Sequence, residues 1–487
     1  MTSALKGYKL IGYYLGVFLM MIGCIILFPL IMLIFYPQDA EFAYCFIIPG
    51  VTAIFCGYLL HYFTKKVKIE NLAKHQDSLL VVLIWLLTIT WSAFPWMLTG
   101  KYNFTQSIFE CTSGYSTTGL SVCDIPNTAN IFLFYRSVML FVGGIGLVLV
   151  LTCAISDRYV LRLYNAEGHN DKLLPNLAKS ARMILLIYST YIILGTIAYM
   201  IAGMNLFDAV NHSIAALSTG GFSTKAENIF YYHSVAIDLI SVVLMILGNT
   251  NFLIHMYLFR GQIKKIWKHC EVRFFVFFTL AILPIFTLIL FLNDYANFGV
   301  SLNVSLFQYV SCMSTTGFQN IATMKELPHS FLGLLTFVML IGGGMGSTAG
   351  GIKQYRIVSS IKGMYYGVKD QMFPNKMISS HYIARFGEVD ELSKDEIHMN
   401  YTFVLIYLTI FFIGSFIFSL FGYSMEESMF EFASSLGTVG VSIGITGYNA
   451  HPVILWTSTV GMFLGRLEII VVFNALARIK KDIVRKF

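Results

Sequence analysis

Thr112-Ser113-Gly114-Tyr115-Ser116-Thr117-Thr118-Gly119 sits between two long apolar runs and is itself too short and too polar to cross a bilayer. Its ending comes back three more times, as Leu217-Ser218-Thr219-Gly220, Ser314-Thr315-Thr316-Gly317 and Gly437-Thr438-Val439-Gly440. The closing glycines are 101, 97 and 123 residues apart. A predicted spanning helix precedes each copy and another follows it. Each following helix carries a second glycine, Gly143, Gly248, Gly343 or Gly465, between 24 and 28 residues past the first. One such Gly turn is an ordinary loop. Four in phase at equivalent places are an internal repeat, and the chain reads as four helix–loop–helix units.

Outward from each motif the sequence predicts a short re-entrant helix. Asn103, Asn205, Asn303 and Ser424 are placed to cap its start, their side-chain oxygens accepting from first-turn N–H groups. Phe109, Phe307 or Phe430 stands ten residues before the closing glycine, with Val210 in the second copy. Irregular backbone at membrane depth is tolerated only inside protein or against a water-filled cavity. A short helix ending in Thr-Thr-Gly and directed inward offers an ion its carbonyl oxygens and the negative end of its dipole. Glycine there leaves the path clear. Four such segments around one axis can replace the water shell of a monovalent cation. The candidate ion-binding residues are Thr117, Thr118 and Gly119; Ser218, Thr219 and Gly220; Thr315, Thr316 and Gly317; and Thr438, Val439 and Gly440. Val439 interrupts the Thr pattern, but backbone coordination does not need its side chain, which is expected to face away from the path.

Composition agrees with this reading. Of 487 residues, 56% are hydrophobic and 12% are charged, against about 25% charged in a soluble domain. Apolar runs of about 20 residues match a hydrocarbon core of about 30 Å, and the ~10-residue alternation of a β-barrel is missing. Ten spans are predicted, at 10–35, 44–63, 79–98, 131–155, 181–203, 234–259, 274–292, 331–361, 401–421 and 452–477. Two of them are long enough to need a tilt, a break or an extension. The expected fold is all-α integral membrane, with two N-terminal helices and four pseudo-repeated helix–pore loop–helix units around a central pore. The units are drawn at 1–78 for the pair, then 79–160, 161–262, 263–366 and 367–487. The first apolar run is too long for a cleaved signal peptide and lacks a small-residue cleavage site, so it is expected to stay in the membrane.

Lys and Arg set the orientation. With the N-terminus inside, the segments 1–9, 64–78, 156–180, 260–273, 352–400 and 478–487, together with Arg182, hold 28 of the 33 basic residues. The outer loops hold Lys101, Lys225 and Lys325. This split follows the positive-inside rule and puts both termini in the cytoplasm. The net charge of +7 is then a topology signal, and nucleic acid is not an expected partner. Among the cysteines, Cys24, Cys56 and Cys153 read as small apolar fillers in helices, and Cys111, Cys123 and Cys312 as free thiols near the outer face.

The span 331–361 contains Gly342-Gly343-Gly344-Met345-Gly346-Ser347-Thr348-Ala349-Gly350-Gly351. Each interior Gly costs a helix about 0.5–1 kcal/mol relative to Ala, so an unwound segment lining a cavity is expected. A close helix crossing through small residues is the alternative. A nucleotide-binding Gly loop is not supported, because the Gly-Lys-Ser/Thr ending and the preceding strand are missing. Arg466 is a charge at membrane depth, where such groups face a cavity or a partner; Glu468 is a candidate for a structural pair. Arg136 lies nearer the outer end of its helix and is expected to anchor a pore helix.

On the motifs 112–119, 217–224 and 314–318, the run 342–351 and Gly465-Arg466-Leu467-Glu468, the chain resembles the membrane subunits of the bacterial Trk/Ktr potassium uptake systems. These are relatives of the plant high-affinity potassium transporters. The similarity covers 79–478, and the extra helix pair before it is similar to the Trk type, TrkH or TrkG. The resemblance implies potassium uptake across the bacterial cytoplasmic (inner) membrane, with potassium as substrate and no cofactor on this chain. It implies a gate formed by Gly342, Gly343, Gly344, Gly346, Gly350 and Gly351, with Arg466 beneath the filter bordering the pore. It further implies a homodimer in membrane lipid bearing a separate cytosolic regulatory subunit that binds nucleotides; 156–180 and 352–400 are candidate docking segments. In the plant relatives Ser at the first filter glycine goes with sodium preference. Gly at all four positions favours potassium here, and a sodium-permeable or sodium-coupled transporter is the alternative. A membrane enzyme would need a convergent acid/base or metal cluster. His61, His212, His255 and Glu468 are scattered, so no catalytic residue is assigned.

Overall fold

The computed structural model describes residues 2–64, 76–146, 177–293, 295, 297–372, 381–386 and 388–484. Among these, six helices are long and apolar enough to cross a membrane, or up to eight if each of two bent pairs counts as one span. Two shorter apolar helices, Asn130–Ile145 and His329–Leu340, take the remaining predicted places. The chain is a multi-pass helical membrane protein.

The unit repeats as its motifs foretell. A long apolar helix comes first: Gln76–Leu98, Leu177–Ile201, Cys270–Leu292 or Lys394–Ser419. A short pore helix follows, Phe104–Tyr115, Leu206–Leu217, Phe298–Met313 or Met425–Leu436, and then a third helix, Asn130–Ile145, Val235–Asn249, His329–Leu340 or Pro452–Arg466. The pore helices are rich in Ser, Thr and other polar residues, yet they are sunk in the protein. In the first, Gln106 to Tyr115 are all buried. Such a helix cannot face lipid, and it is stable only where the other units enclose it.

The N-terminal helices Thr2–Leu27 and Ala43–Thr64 cross closely because glycines meet at the contact. A Cβ on Gly23 would lie 2.6 Å from the Gly50 carbonyl, and one on Gly57 2.7 Å from the Gly16 carbonyl. Small residues are what allow helices to approach this far in a membrane. The pair packs on the first unit, with the Phe46 ring centred 4.9 Å from that of Phe132 and tilted 48° to it. Asp39 Oδ2 also accepts from Ile131 N–H at 2.9 Å, satisfying a first-turn donor of Asn130–Ile145.

Three predicted spans are not continuous helices. The span 234–259 breaks at Thr250, and Asn251 caps a new helix, Phe252–Phe259, turned by 108°. The span 452–477 breaks at Glu468, which sits at φ 56°, and resumes as Ile469–Val484 at 100°. The span 331–361 opens at 341–353 before Gln354–Gln371. The opening at 341–353 is the unwound segment expected from its glycines, whereas hydropathy averaged over a span does not register the change of direction at the other two breaks. An antiparallel hairpin, Tyr382–Arg385 with Glu388–Glu391, adds a small strand element to a chain expected to be all-α; its register places Tyr382 opposite Glu391. Ile383 on it is buried, whereas Glu388 to Glu391 are exposed. Residues 147–155 of the fourth predicted span, the unit boundary at 160/161, Cys153 and most of the candidate docking segment 156–180 lie outside the described residues. The seven described cysteines are free thiols.

Candidate functional site

Each pore helix begins on a side-chain cap. Asn103 Oδ1 accepts from Gln106 N–H at 2.9 Å, and Gln106 Oε1 accepts from Asn103 N–H in return. Asn205 accepts from Asp208 N–H, and Ser424 from Glu427 N–H. The third helix departs from expectation. It starts at Phe298 beneath Asn297, whose Oδ1 accepts from Val300 N–H at 3.0 Å. Asn303 lies inside it and donates to Asp238 Oδ2 at 2.7 Å.

At their far ends all four pore helices turn the same way. Thr117, Thr219, Thr315 and Thr438 have φ of 54°, 52°, 55° and 52°. Left-handed φ is an outlier for a β-branched residue, with a cost of order 1–3 kcal/mol each. Four at one position mark a functional constraint. Two residues on stand Gly119, Gly221, Gly317 and Gly440, with φ of 97°, 60°, 85° and 94°. The second copy is therefore out of the expected register by one. Gly221 holds the place assigned to Gly220, and Asn211, not Val210, lies ten residues before it. The Thr-Gly-Gly ending hides this in sequence, since either glycine completes the motif.

The residues between, Thr118, Gly220, Thr316 and Val439, close the loops into a ring. A Cβ on Gly119 would lie 2.5 Å from Gly220 O. A Cβ on Gly221 would overlap Thr316 O, one on Gly317 would overlap Val439 O, and one on Gly440 would overlap Thr118 O. The order of contact runs from the first unit through the fourth and back to the first. Each glycine is required by the carbonyl of its neighbour. The pore-helix C-caps Ser116, Ser218, Ser314 and Gly437 bring four negative helix ends to this ring. Side chains at the carbonyl positions are held back in their own loops: Thr118 bonds Ser116 Oγ and Thr316 bonds Ser314 Oγ, both at 2.7 Å. Val439 is buried, its Cγ2 3.2 Å from the place of a Cβ on Gly437.

A second four-fold feature was not anticipated. Nine residues before the ring glycines stand Glu110, His212, Gln308 and Glu431, each at most 1% exposed. Each reaches the chain just beyond its own glycine. Glu110 accepts from Ser121 Oγ at 3.0 Å and Val122 N–H at 2.9 Å. His212 Nε2 meets Ser223 Oγ at 2.9 Å, and Gln308 Nε2 donates to Asn320 Oδ1 at 3.0 Å. Glu431 accepts from Ser442 Oγ at 2.6 Å and from Ile443 and Thr446 N–H at 3.0 Å. Shared spacing was the available signal, and unlike residue types concealed it. Arg136 anchors the first pore helix as expected: its Nε lies 3.0 Å from Glu110, and Nη1 donates to Ser223 O at 3.0 Å.

Beneath the ring, Gly143, Gly248 and Gly465 let their helices cross the last pore-helix carbonyls, Tyr115 O, Leu217 O and Leu436 O, where a Cβ would collide. The third unit breaks this pattern, because Gly343 faces Asn249 Oδ1 and Ala349 Cβ. Segment 341–353 is unwound and pinned at its neck by a parallel Ile341–Ile352 bridge. Gly342 N–H donates to Ile352 O at 2.8 Å. The break in the second unit supplies further partners. Thr348 Oγ1 donates to Gly248 O at 2.9 Å, and Phe252 N–H donates to Gly346 O at 3.3 Å. Glu271 Oε1 accepts from Met345 N–H at 2.8 Å. The loop also meets the left-handed threonines: Gly350 N–H donates to Thr315 Oγ1 at 2.9 Å, and Thr219 Oγ1 to Thr348 Oγ1 at 3.1 Å.

Arg466 closes this arrangement. It donates through Nη1 to Thr348 O and through Nη2 to Gly143 O. Glu468, considered as its partner, lies 2.6 Å from Arg356. A cavity is bordered by Gly146, Ser347, Gly350, Lys353, Arg466 and Glu468. Among the described residues, no group of three or more His, Cys, Asp or Glu could hold a metal ion.

Comparison with known proteins places this geometry. An uncharacterized cation transporter of Methanocaldococcus jannaschii is 28% identical over 478 residues, 96% of this chain and 94% of its own. The Trk system potassium uptake protein TrkG of Escherichia coli is 29% identical, over 91% of this chain and 92% of its own. The crystal structure of the potassium transporter TrkH from Vibrio parahaemolyticus superimposes with a TM-score of 0.83 at 25% identity, covering 96% of this chain and 98% of that one. The family profile for TrkH, cation transport protein, matches residues 44–486, and the chain belongs to that family.

Proposed function

We propose that this chain carries potassium across the bacterial cytoplasmic membrane through the ring at Thr118, Gly220, Thr316 and Val439. The closed succession of glycine-to-carbonyl contacts carries the reading. Four loops in backbone contact can offer one ion a cage of carbonyl oxygens, and the helix ends around it favour a cation. Uncharged ligands suit a monovalent ion, whereas divalent sites recruit carboxylates. The potassium uptake named for the relatives supports the choice among alkali cations. Thr117, Thr118, Gly119, Ser218, Thr219, Gly220, Thr315, Thr316, Gly317, Thr438, Val439 and Gly440 form the filter, joined by Gly221.

The loop with Gly342, Gly343, Gly344, Gly346, Gly350 and Gly351 is the gate, and Arg466 is its clasp and a positive barrier on the path. A homodimer with both termini cytoplasmic, working with a nucleotide-binding cytosolic subunit and no cofactor of its own, completes the reading. The test is flux of potassium, rubidium and sodium into liposomes, with and without such a partner. Potassium and rubidium flux above sodium is expected. Sodium flux equal to potassium supports the sodium-permeable alternative, and no flux from inserted protein overturns transport.

A further inference from the structure

The ring is held in two stages. Up to each ring position the backbone is tied to its own pore helix: Thr118, Gly220, Thr316 and Val439 N–H donate to Ser113, Ala215, Ser311 and Ser434 O, and Gly119 and Gly440 N–H donate to Ser113 and Ser434 Oγ. Beyond each glycine the chain is held from behind by the four buried residues nine positions before it, joined in the third loop by Ser311 Oγ, which donates to Phe318 O at 2.7 Å. Their chemistry is unequal. Glu110 shares its carboxylate with Arg136, which also ties the first loop to the second at Ser223 O. Glu431 holds its own loop most heavily, taking Ser442, Ile443 and both donors of Thr446. His212 and Gln308 each make one side-chain bond to the loop beyond. A carboxylate that accepts several donors at once fixes them more tightly than one neutral bond does.

We propose that Glu110, His212, Gln308 and Glu431 are positioning residues for ion selectivity. They fasten the chain beyond each ring glycine to its own pore helix and so set the width at which the four carbonyls meet an ion. They touch no ion. Discrimination between two alkali cations depends on the cage keeping one size, and the first and fourth quadrants, braced by carboxylates, are the stiffest. The inference rests on the filter reading above.

The test uses full-length protein in liposomes and compares potassium with sodium flux. Glu431→Ala is expected to lower the potassium-to-sodium ratio by roughly fivefold or more, since four hydrogen bonds to one buried side chain are lost together. Glu431→Gln, which keeps the shape and one acceptor oxygen, should recover much of the ratio. Ser442→Ala and Gln308→Leu, which disturb packing little, should each lower it less, and they decide the matter if Glu431→Ala is not inserted. A brace that served folding alone would change abundance and total flux while leaving the ratio intact in every variant; that result overturns the proposal. Unmodified protein that fails to discriminate cations would instead overturn the filter reading, so the two failures are distinct.

Discussion

The guanidinium of Arg466, in the last turn of Pro452–Arg466, donates to the carbonyl of Thr348 in the Gly-rich loop. Its other terminal nitrogen reaches Gly143 O in the first unit. One side chain of the fourth unit thus ties the third unit's loop to the first unit. It also keeps a fixed positive charge beside the cavity below the ring. On the proposed gating reading, holding the loop and repelling a cation would have the same consequence, a closed path.

Arg466→Ala is therefore expected to increase flux. At an effective dielectric near 20, a unit charge several Å from a cation contributes a few kcal/mol, and each 1.4 kcal/mol recovered is about tenfold in rate. Rubidium uptake should rise with protein abundance little changed. Low abundance together with low uptake would show that the arginine chiefly holds the fold.

Thr348→Val keeps the shape of the side chain but removes the hydroxyl that bonds Gly248 O and Leu217 O. A net loss of about 1 kcal/mol for such bonds should loosen the loop and raise basal flux without altering the potassium-to-sodium ratio. An unchanged or lower basal flux would deny the loop its gating role.

The corrected register separates two adjacent glycines. A Cβ on Gly220 would press on the Leu140 side-chain methyls, which can move, whereas one on Gly221 would overlap the Thr316 carbonyl at positive φ. Gly220→Ala should cost about 1–3 kcal/mol by overpacking and be relieved by Leu140→Ala. Gly221→Ala should lose selectivity with no such rescue. Equal damage from both, with equal rescue, would contradict the register.

Arg136→Ala leaves Glu110 buried without its cation, a situation that costs about 3–5 kcal/mol. Inserted protein should be scarcer and unfold at lower temperature. Arg136→Lys should recover only part, because an ammonium cannot make the forked contacts to Glu110 and Ser223. Wild-type stability in Arg136→Ala would mean the pair does not anchor the helix.

The repeat was legible because its glycines are demanded by backbone contact: no other residue fits where Gly119, Gly317 and Gly440 meet a neighbour's carbonyl. Gly221 was missed because Thr219-Gly220-Gly221 offers two glycines in succession. The breaks at Asn251 and Glu468 were hidden because hydropathy measures composition and not direction. The brace behind the ring was hidden because a carboxylate, an imidazole and an amide occupy equivalent places. The carbonyl partners of Arg466 were beyond reach for another reason: a bond to backbone leaves no mark on the partner's residue type, whereas a carboxylate such as Glu468 invites a pairing that the fold gives to Arg356.

Whether four loops make one filter is read most directly from the potassium-to-sodium flux ratio of Gly119→Ser, Gly221→Ser, Gly317→Ser and Gly440→Ser in liposomes. Each side chain would strike the carbonyl of the next loop, so each single variant should lower the ratio seen in unmodified protein. A ratio unchanged in all four variants, with the protein inserted and conducting, would contradict the four-loop filter.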